Sequence, residues 1–236
     1  MHGDSAPEDG LTVCTEPPQA TTVRPPRPAP AAIPAAIPAA VPLRPHRLHD
    51  LRTAQPQPRT LLYGDTDIVV VTGLPGAGKS TLMARCVCVP LIDSGHVRVW
   101  FQARTPRRLP YLLVRPLVRL VHYGRLRAAL RRGGPVVVHD CGTVPLVRRW
   151  LAGTARRQGR AVHLLFLDVG AETALAGQRA RGRALSARQF ARHCVRTRRA
   201  LDRLAAAGAP APGWASAVVL SRTTARGLRE IRFGTR

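Results

Sequence analysis

Four β-branched residues, Ile68-Val69-Val70-Val71, lead into Gly73-Leu74-Pro75-Gly76-Ala77-Gly78-Lys79-Ser80, and a helical stretch from Ser80 to about Val87 follows until Pro90 stops it. A short apolar run of this kind suits a strand buried on both faces, so the rest of the chain must cover it from two sides. The turn has the spacing G-x-x-x-x-G-K-S, with a strand before it and a helix after it. Gly73, Gly76 and Gly78 let the backbone curl so that successive N–H groups point inward at one place. The positive end of the following helix dipole, roughly half an elementary charge, is aimed at the same place. This spacing is that of a loop cradling a polyphosphate, so Gly73 to Thr81 reads as a binding site for ATP with Mg²⁺. Lys79 would reach the β- and γ-phosphates, and Ser80, with Thr81 next to it, would offer its hydroxyl to the metal.

Lys79 is the only lysine in the chain. It stands where a compact ammonium is wanted in place of a planar guanidinium. The same scarcity excludes a GTPase of the Asn-Lys-x-Asp type, and the lack of Leu-Ser-Gly-Gly argues against a transporter ATPase. Net charge is +24, nearly all of it beyond residue 60. That excess would attract polyanions and makes nucleic acid a candidate partner. An Ala-, Arg-, Gly-, Pro- and Val-rich composition nevertheless writes arginine wherever a solvated cation suffices. Five cysteines with no Cys-x-x-Cys pair indicate neither a disulfide framework nor a zinc site. No apolar run approaches the roughly 18–20 residues of a membrane helix, and the first residues lack a basic leader. A soluble, cytoplasmic protein with no membrane partner is the expectation.

Of the 22 prolines, 13 fall within residues 1–60, including the repeat PAAIPAAIPAAVP from Pro30 to Pro42. Proline at that density opposes helix and sheet ladders and favours extended chain. Residues 1–60 are therefore expected to be a disordered or semi-rigid Pro/Ala-rich tail, and residues 61–236 a folded nucleotide-binding domain. Within the domain, Leu91-Ile92, Pro135 to His139, Val162 to Leu167 and Ala217 to Leu220 read as further strands. Helices are expected over 110–132, 144–158 and 171–181. Ser186-Ala187-Arg188-Gln189 has capping-box spacing and opens a long basic helix to about Ala206. A short basic helix or extension follows the last strand. Alternating strands and helices predict an α/β fold of the P-loop NTPase kind: a three-layer sandwich around a mostly parallel five-stranded sheet. Ligands of such sheets bind at the carboxyl ends of the strands, which gathers Lys79, Asp93, Asp140, Asp168 and Ser221. Asp140, after Val136-Val137-Val138-His139, suits the acid that holds Mg²⁺ with Ser80. His139 reads as a packed or tautomer-fixed neighbour.

Gly73 to Thr81, together with Leu91-Ile92-Asp93-Ser94-Gly95-His96-Val97-Arg98, resembles the P-loop kinase group that includes adenylylsulfate kinase, polynucleotide 5′-kinase and zeta toxin. It is closer still to bacterial ATP-binding proteins labelled AAA-family ATPases. The resemblance runs over roughly residues 66–233 and implies transfer of the ATP γ-phosphoryl group to a hydroxyl. Members carry an acid three residues before the arginine matching Arg98, and that acid handles the acceptor hydroxyl. Here the position is Gly95, which leaves Asp93 or Asp140 as the base and Arg98 to hold acceptor or phosphate. The resemblance also implies a lid after the fourth strand, placing Arg181 and Arg183 on the transferring phosphate, and an adenine-flanking segment at Ser221-Arg222. The helix at 110–132, with Arg115, Arg119, His122 and Arg125 at helical spacing and Tyr111 and Tyr123 able to stack, would suit an anionic or nucleotide-like acceptor. Two functions stay open. The lid-like arginines favour a kinase. Gly95 and the basic surface favour a non-catalytic or weakly hydrolytic ATP-binding protein, for example a nucleotide-switched nucleic-acid binder.

Overall fold

The computed structural model describes residues 40–104, 111–139, 145–182 and 185–234. In chain order the elements are β1 (Ala40–Pro42), β2 (Arg47–Asp50), β3 (Thr60–Tyr63), β4 (Ile68–Gly73), α1 (Lys79–Cys86), β5 (Leu91–Ile92), α2 (Ser94–Arg104), α3 (Tyr111–Arg132), β6 (Val136–His139), α4 (Pro145–Arg157), β7 (Val162–Asp168), α5 (Ala171–Arg179), α6 (Ala187–Ala207), β8 (Ser216–Ser221), α7 (Arg222–Gly227) and β9 (Glu230–Phe233).

The main sheet has the order β2-β8-β7-β4-β6-β5, and every neighbouring pair is parallel. β4 lies in its interior, with Ile68 in register with Val136 on β6 and with Val162 on β7. Side chains alternate along each strand, and the alternation sorts the core in two. Val69, Val71, Val137, Leu165, Leu167, Val218 and Leu220 face one apolar cluster with Leu82, Met83 and Cys86 of α1 and Ala225 of α7. Ile68, Val70, Val136, Val138, Leu164, Phe166 and Val219 face the other with Leu126 and Leu130 of α3 and Leu151 of α4. The expected three-layer α/β sandwich with a parallel sheet is what the chain forms, with six strands in place of five.

The sixth strand comes from sequence assigned to the tail. β2 pairs with β8 from Arg47↔Ser216 to Asp50↔Val219. β1, β3 and β9 form a second parallel sheet, which buries Leu61, Tyr63 and Ile231 against the first cluster. Proline density misleads from residue 40 onward because of where the prolines fall. Pro42 ends an outer strand, and Pro45, Pro56 and Pro58 lie between strands, where no ladder N–H is needed. Residues 1–39 lie outside the described residues.

Buried polar groups tie down the amino-terminal edge of the main sheet. Arg160 donates to the carbonyls of Thr66 (2.7 Å), Leu130 (3.1 Å) and Gly134 (2.6 Å). His163, 1% exposed, lies 2.9 Å from Asp67 Oδ2 and 2.8 Å from Ser216 Oγ. The opposite edge, where β4 turns into α1, is left for chemistry. Among the described residues no helix is long and apolar enough to cross a membrane.

Candidate functional site

α1 carries buried residues at Lys79, Leu82, Met83 and Cys86, the i, i+3, i+4, i+7 stripe that seats a helix on a sheet. Its N-cap is Gly78, at φ 98°, with no side-chain cap. That leaves the first-turn amides of the helix open to an anion. Gly73 and Gly76 also have positive φ, 140° and 89°. A Cβ on Gly73 would strike the Leu167 carbonyl, and one on Gly76 the Ala174 carbonyl. Within the turn the Ala77 N–H donates to the Leu74 carbonyl at 3.1 Å. Among the described residues no backbone acceptor takes the amides of Gly76 and Gly78. The curled loop expected from the glycine spacing is present.

Lys79 is 6% exposed, and its Nζ donates to the Gly73 and Leu74 carbonyls at 2.9 Å each. The loop thereby holds its own cation at its mouth. Ser80 is half-buried in the first turn of α1. Thr81 is exposed and accepts a 3.0 Å hydrogen bond from Arg181, so one expected lid arginine reaches the loop. Arg183 lies outside the described residues.

A cleft of about 480 Å³ opens beside Gly76, Ala77 and Gly78, walled by Thr81, Arg181 and Arg222. The structure therefore brings the loop, an expected lid arginine and the expected adenine-flanking residue to one opening. Its volume lies within the range of small-molecule sites, about 300–1,000 Å³. Leu82, Leu167, Ala176 and Ala225 supply an apolar lining suited to a base. Arg85 also borders the cleft but is spent structurally, donating to the Ala225 and Leu228 carbonyls.

At the far side of the loop, Asp93 is 7% exposed. It sits just before α2, and its Oδ1 accepts the Gly95 N–H at 2.7 Å. His139 Nδ1 lies 2.6 Å from the same oxygen. With a carboxylate as acceptor, Nδ1 is the donor of this contact. His139 ends β6 and is in register with Val71, two residues before Gly73. A Cβ on Gly95 would stand 3.1 Å from Asp93 Oδ1, so the Asp93 carboxylate fills the room a larger residue at 95 would use. Asp140 lies outside the described residues, as does the Arg98 side chain, although its backbone belongs to α2. Among the described residues no cluster of three His, Cys, Asp or Glu is arranged for a metal. The donor set that remains, a serine hydroxyl beside a phosphate loop, fits Mg²⁺, a hard cation that keeps waters and takes phosphate oxygens.

Two contributors went unread in the sequence. Gln178, 4% exposed, donates to the Pro75 carbonyl at 3.0 Å and accepts the Leu185 N–H at 3.2 Å. It ties the loop to α5 and to Leu185, just ahead of α6. The signal was a neutral amide among the arginines of 178–183. Arg52 pairs with Asp168 at 2.9 Å and with Asp50 at 2.6 Å, and its carbonyl accepts from Ser221 Oγ at 3.0 Å. Asp168 is thus occupied at the strand edge by a residue from the segment assigned to the tail.

A family model described as an AAA domain matches residues 68–207, from the first residue of β4 to the last of α6. No curated protein matches the chain. Among solved structures the chain is similar to the tunicamycin resistance protein of Deinococcus radiodurans, at 20% identity, over 56% of this chain and 79% of that one, with TM-score 0.39. It is similar to a kinase candidate from Chloroflexus aurantiacus, at 14% identity over 66% and 88%, with TM-score 0.48. It is also similar to a gluconokinase from Sinorhizobium meliloti, at 16% identity over 70% and 90%, with TM-score 0.42. The family match spans more than half of the chain and takes in the phosphate loop, Asp93, His139 and Arg181, and the chain belongs to this AAA-domain family.

Proposed function

We propose that the chain is a kinase that transfers the γ-phosphoryl group of ATP to a hydroxyl of a small-molecule or nucleotide-like acceptor. The observation that carries this reading is the buried Asp93–His139 pair at the carboxyl edge of the sheet, one strand from the phosphate loop.

In the proposed step a bond forms between the acceptor oxygen and the γ-phosphorus, the bridging bond to the β-phosphate breaks, and ADP leaves. The acceptor proton passes to the Asp93–His139 pair. Asp93 fixes the imidazole tautomer, so Nε2 is the atom with a lone pair to offer. Lys79 meets charge on the β- and γ-phosphates and Arg181 closes from the cleft side, where cations on the transferring group contribute about 10³–10⁵ in rate. Ser80, with Asp140, is assigned to Mg²⁺. Mg²⁺, when bound, neutralises charge on the phosphate oxygens. Arg98 and Arg183 are assigned to acceptor and phosphate, and Arg222 to the adenine side.

A second reading, an ATP-binding protein with little or no transfer, is favoured by Asp93 Oδ1 already receiving two donors. Labelled γ-phosphate offered with nucleosides, sugars, 5′-hydroxyl oligonucleotides and hydroxyl antibiotics separates the two. The kinase reading expects a labelled product with one acceptor, lost in Asp93→Asn. Label released only as free phosphate supports the second reading.

A further inference from the structure

Away from the phosphate-loop cleft, a cavity of about 690 Å³ opens between α4 and α6 on the opposite face of the sheet. Its floor is apolar, with Leu164 and Phe166 of β7 and Leu204 of α6, and the loop carrying Pro210 and Pro212 closes one side. Arg148 of α4 and Arg196, Arg199 and Arg203 of α6 also line it, and among the described residues no acidic one does. Positions 196, 199 and 203 fall on one helical face, which accounts for their convergence.

Among the described residues, two polar groups there lack partners. Thr72, 2% exposed, lines the cavity, and its Oγ1 has no hydrogen-bond partner. Nor has Arg148 Nε. The Arg148 guanidinium lies 5.1 Å from the ring centroid of buried Trp214. Burial, and then the nearby Arg203, hold its pKa below the usual arginine value. A buried hydroxyl left unpaired is destabilising, and unpaired buried groups in native proteins call for a water, an ion or a ligand. Four guanidiniums, with no carboxylate among the described lining residues, suit an anion, and the apolar floor suits a flat hydrocarbon body.

We propose that this cavity binds a small anion joined to a flat apolar group, of the aryl phosphate class, with Thr72 Oγ1 as its deepest polar contact and the α6 arginines at its rim. The site shares no lining residue with the phosphate-loop cleft, although Thr72 directly precedes Gly73, and it does not depend on the kinase reading.

Phenyl phosphate is the probe, with inorganic phosphate and phenol as its two halves, read by tryptophan fluorescence on the full chain with and without saturating ADP and Mg²⁺. Expected is saturable binding of phenyl phosphate, tighter than either half and unchanged by ADP. It weakens on the order of tenfold in Thr72→Val and in the Arg199→Gln/Arg203→Gln double variant, the factor of one charge-assisted hydrogen bond. Thr72→Val removes an unpaired hydroxyl without changing shape and should melt no lower than the parent. The arginine changes lie on an exposed helix face and leave folding intact. No saturable binding, binding displaced by ADP, inorganic phosphate bound as tightly as phenyl phosphate, or unchanged affinity in both variants would each overturn the proposal. Failure of ADP to bind would count against the phosphate-loop reading alone, since the two variants still decide this one.

Discussion

Asp93, after β5, and Asp168, at the end of β7, lie at the same carboxyl edge of the sheet, and their surroundings differ. Asp168 is held by the Arg52 guanidinium at 2.9 Å, a partly exposed pair of the kind worth about 0–1 kcal/mol. Asp93 is buried and paired with the His139 imidazole at the end of β6, the strand next to β4. Asp93→Asn is therefore expected to lose at least about a hundredfold in phosphotransfer, the usual range of a removed acid–base group. Asp168→Asn should lose far less, and the reverse order in measured kcat would place the base elsewhere. Tyr63 makes a second residue-scale case. It is fully buried, its hydroxyl has no hydrogen-bond partner among the described residues, and burial, with a smaller contribution from Asp67, raises its pKa well above the usual value. The unfolded chain gives up that proton near pH 10 while the folded chain keeps it. The stability it contributes is full below about pH 10 and falls as pH rises toward the folded value. Burial also raises the Cys86 thiol, which acts with the same sign. Tyr63→Phe should show a shallower alkaline limb in a plot of melting temperature against pH, with no loss at pH 7. An identical limb contradicts this.

At the scale of elements, the phosphate loop is shaped as much by α5 as by its own glycines. Gly177 of α5 stands so close to Gly76 that a Cβ there would strike the Gly76 carbonyl, and Gln178 holds the Pro75 carbonyl next to it. Gly177→Ala gains helix propensity, about 0.8–1 kcal/mol, while pushing the loop out of place. It is expected to leave the melting temperature within a few degrees and to weaken ATP binding by about tenfold or more, since misplaced positioning of an ångström is costly. Calorimetric ATP affinity equal to the parent's would show that the loop does not lean on α5. The same scale shows what the sequence discloses. Ile68 to Val71, Val136 to Val138 and Val162 to Leu167 are legible as strands because both faces are apolar, and Ser186 caps α6 through the Gln189 N–H as its spacing predicts. β2 reads Arg-Leu-His-Asp, with no β-branched residue, and its strand character comes from β8 beside it. α2, with Gly95 near its start and valines at 97 and 99, has weak helix propensity. The Asp93–His139 pair joins residues 46 apart in sequence, a proximity that only the β5–β6 ladder creates.

On the scale of the whole molecule, the residues from Ile37 to Arg236 form one compact unit, and its sheet draws on sequence ahead of residue 60. Removing residues 1–60 takes away β2, Arg52 and the buried Leu43. Each kcal/mol lost lowers the melting temperature by about 2–4 °C in a chain of this size, so a fall of several degrees is expected. A truncation that starts at residue 37 should keep the parent's melting temperature and nucleotide affinity. Equal melting temperatures for both truncations would deny β2 its place in the sheet.

The account rests on one ammonium held at the mouth of a curled loop. Calorimetric titration of ATP with Mg²⁺ into the parent chain and into Lys79→Arg, with the fold of both checked by circular dichroism, addresses it directly. Saturable binding to the parent and its loss in the variant, despite the retained charge, is the result expected. Equal affinity in the two chains, or no binding to the parent, would contradict it.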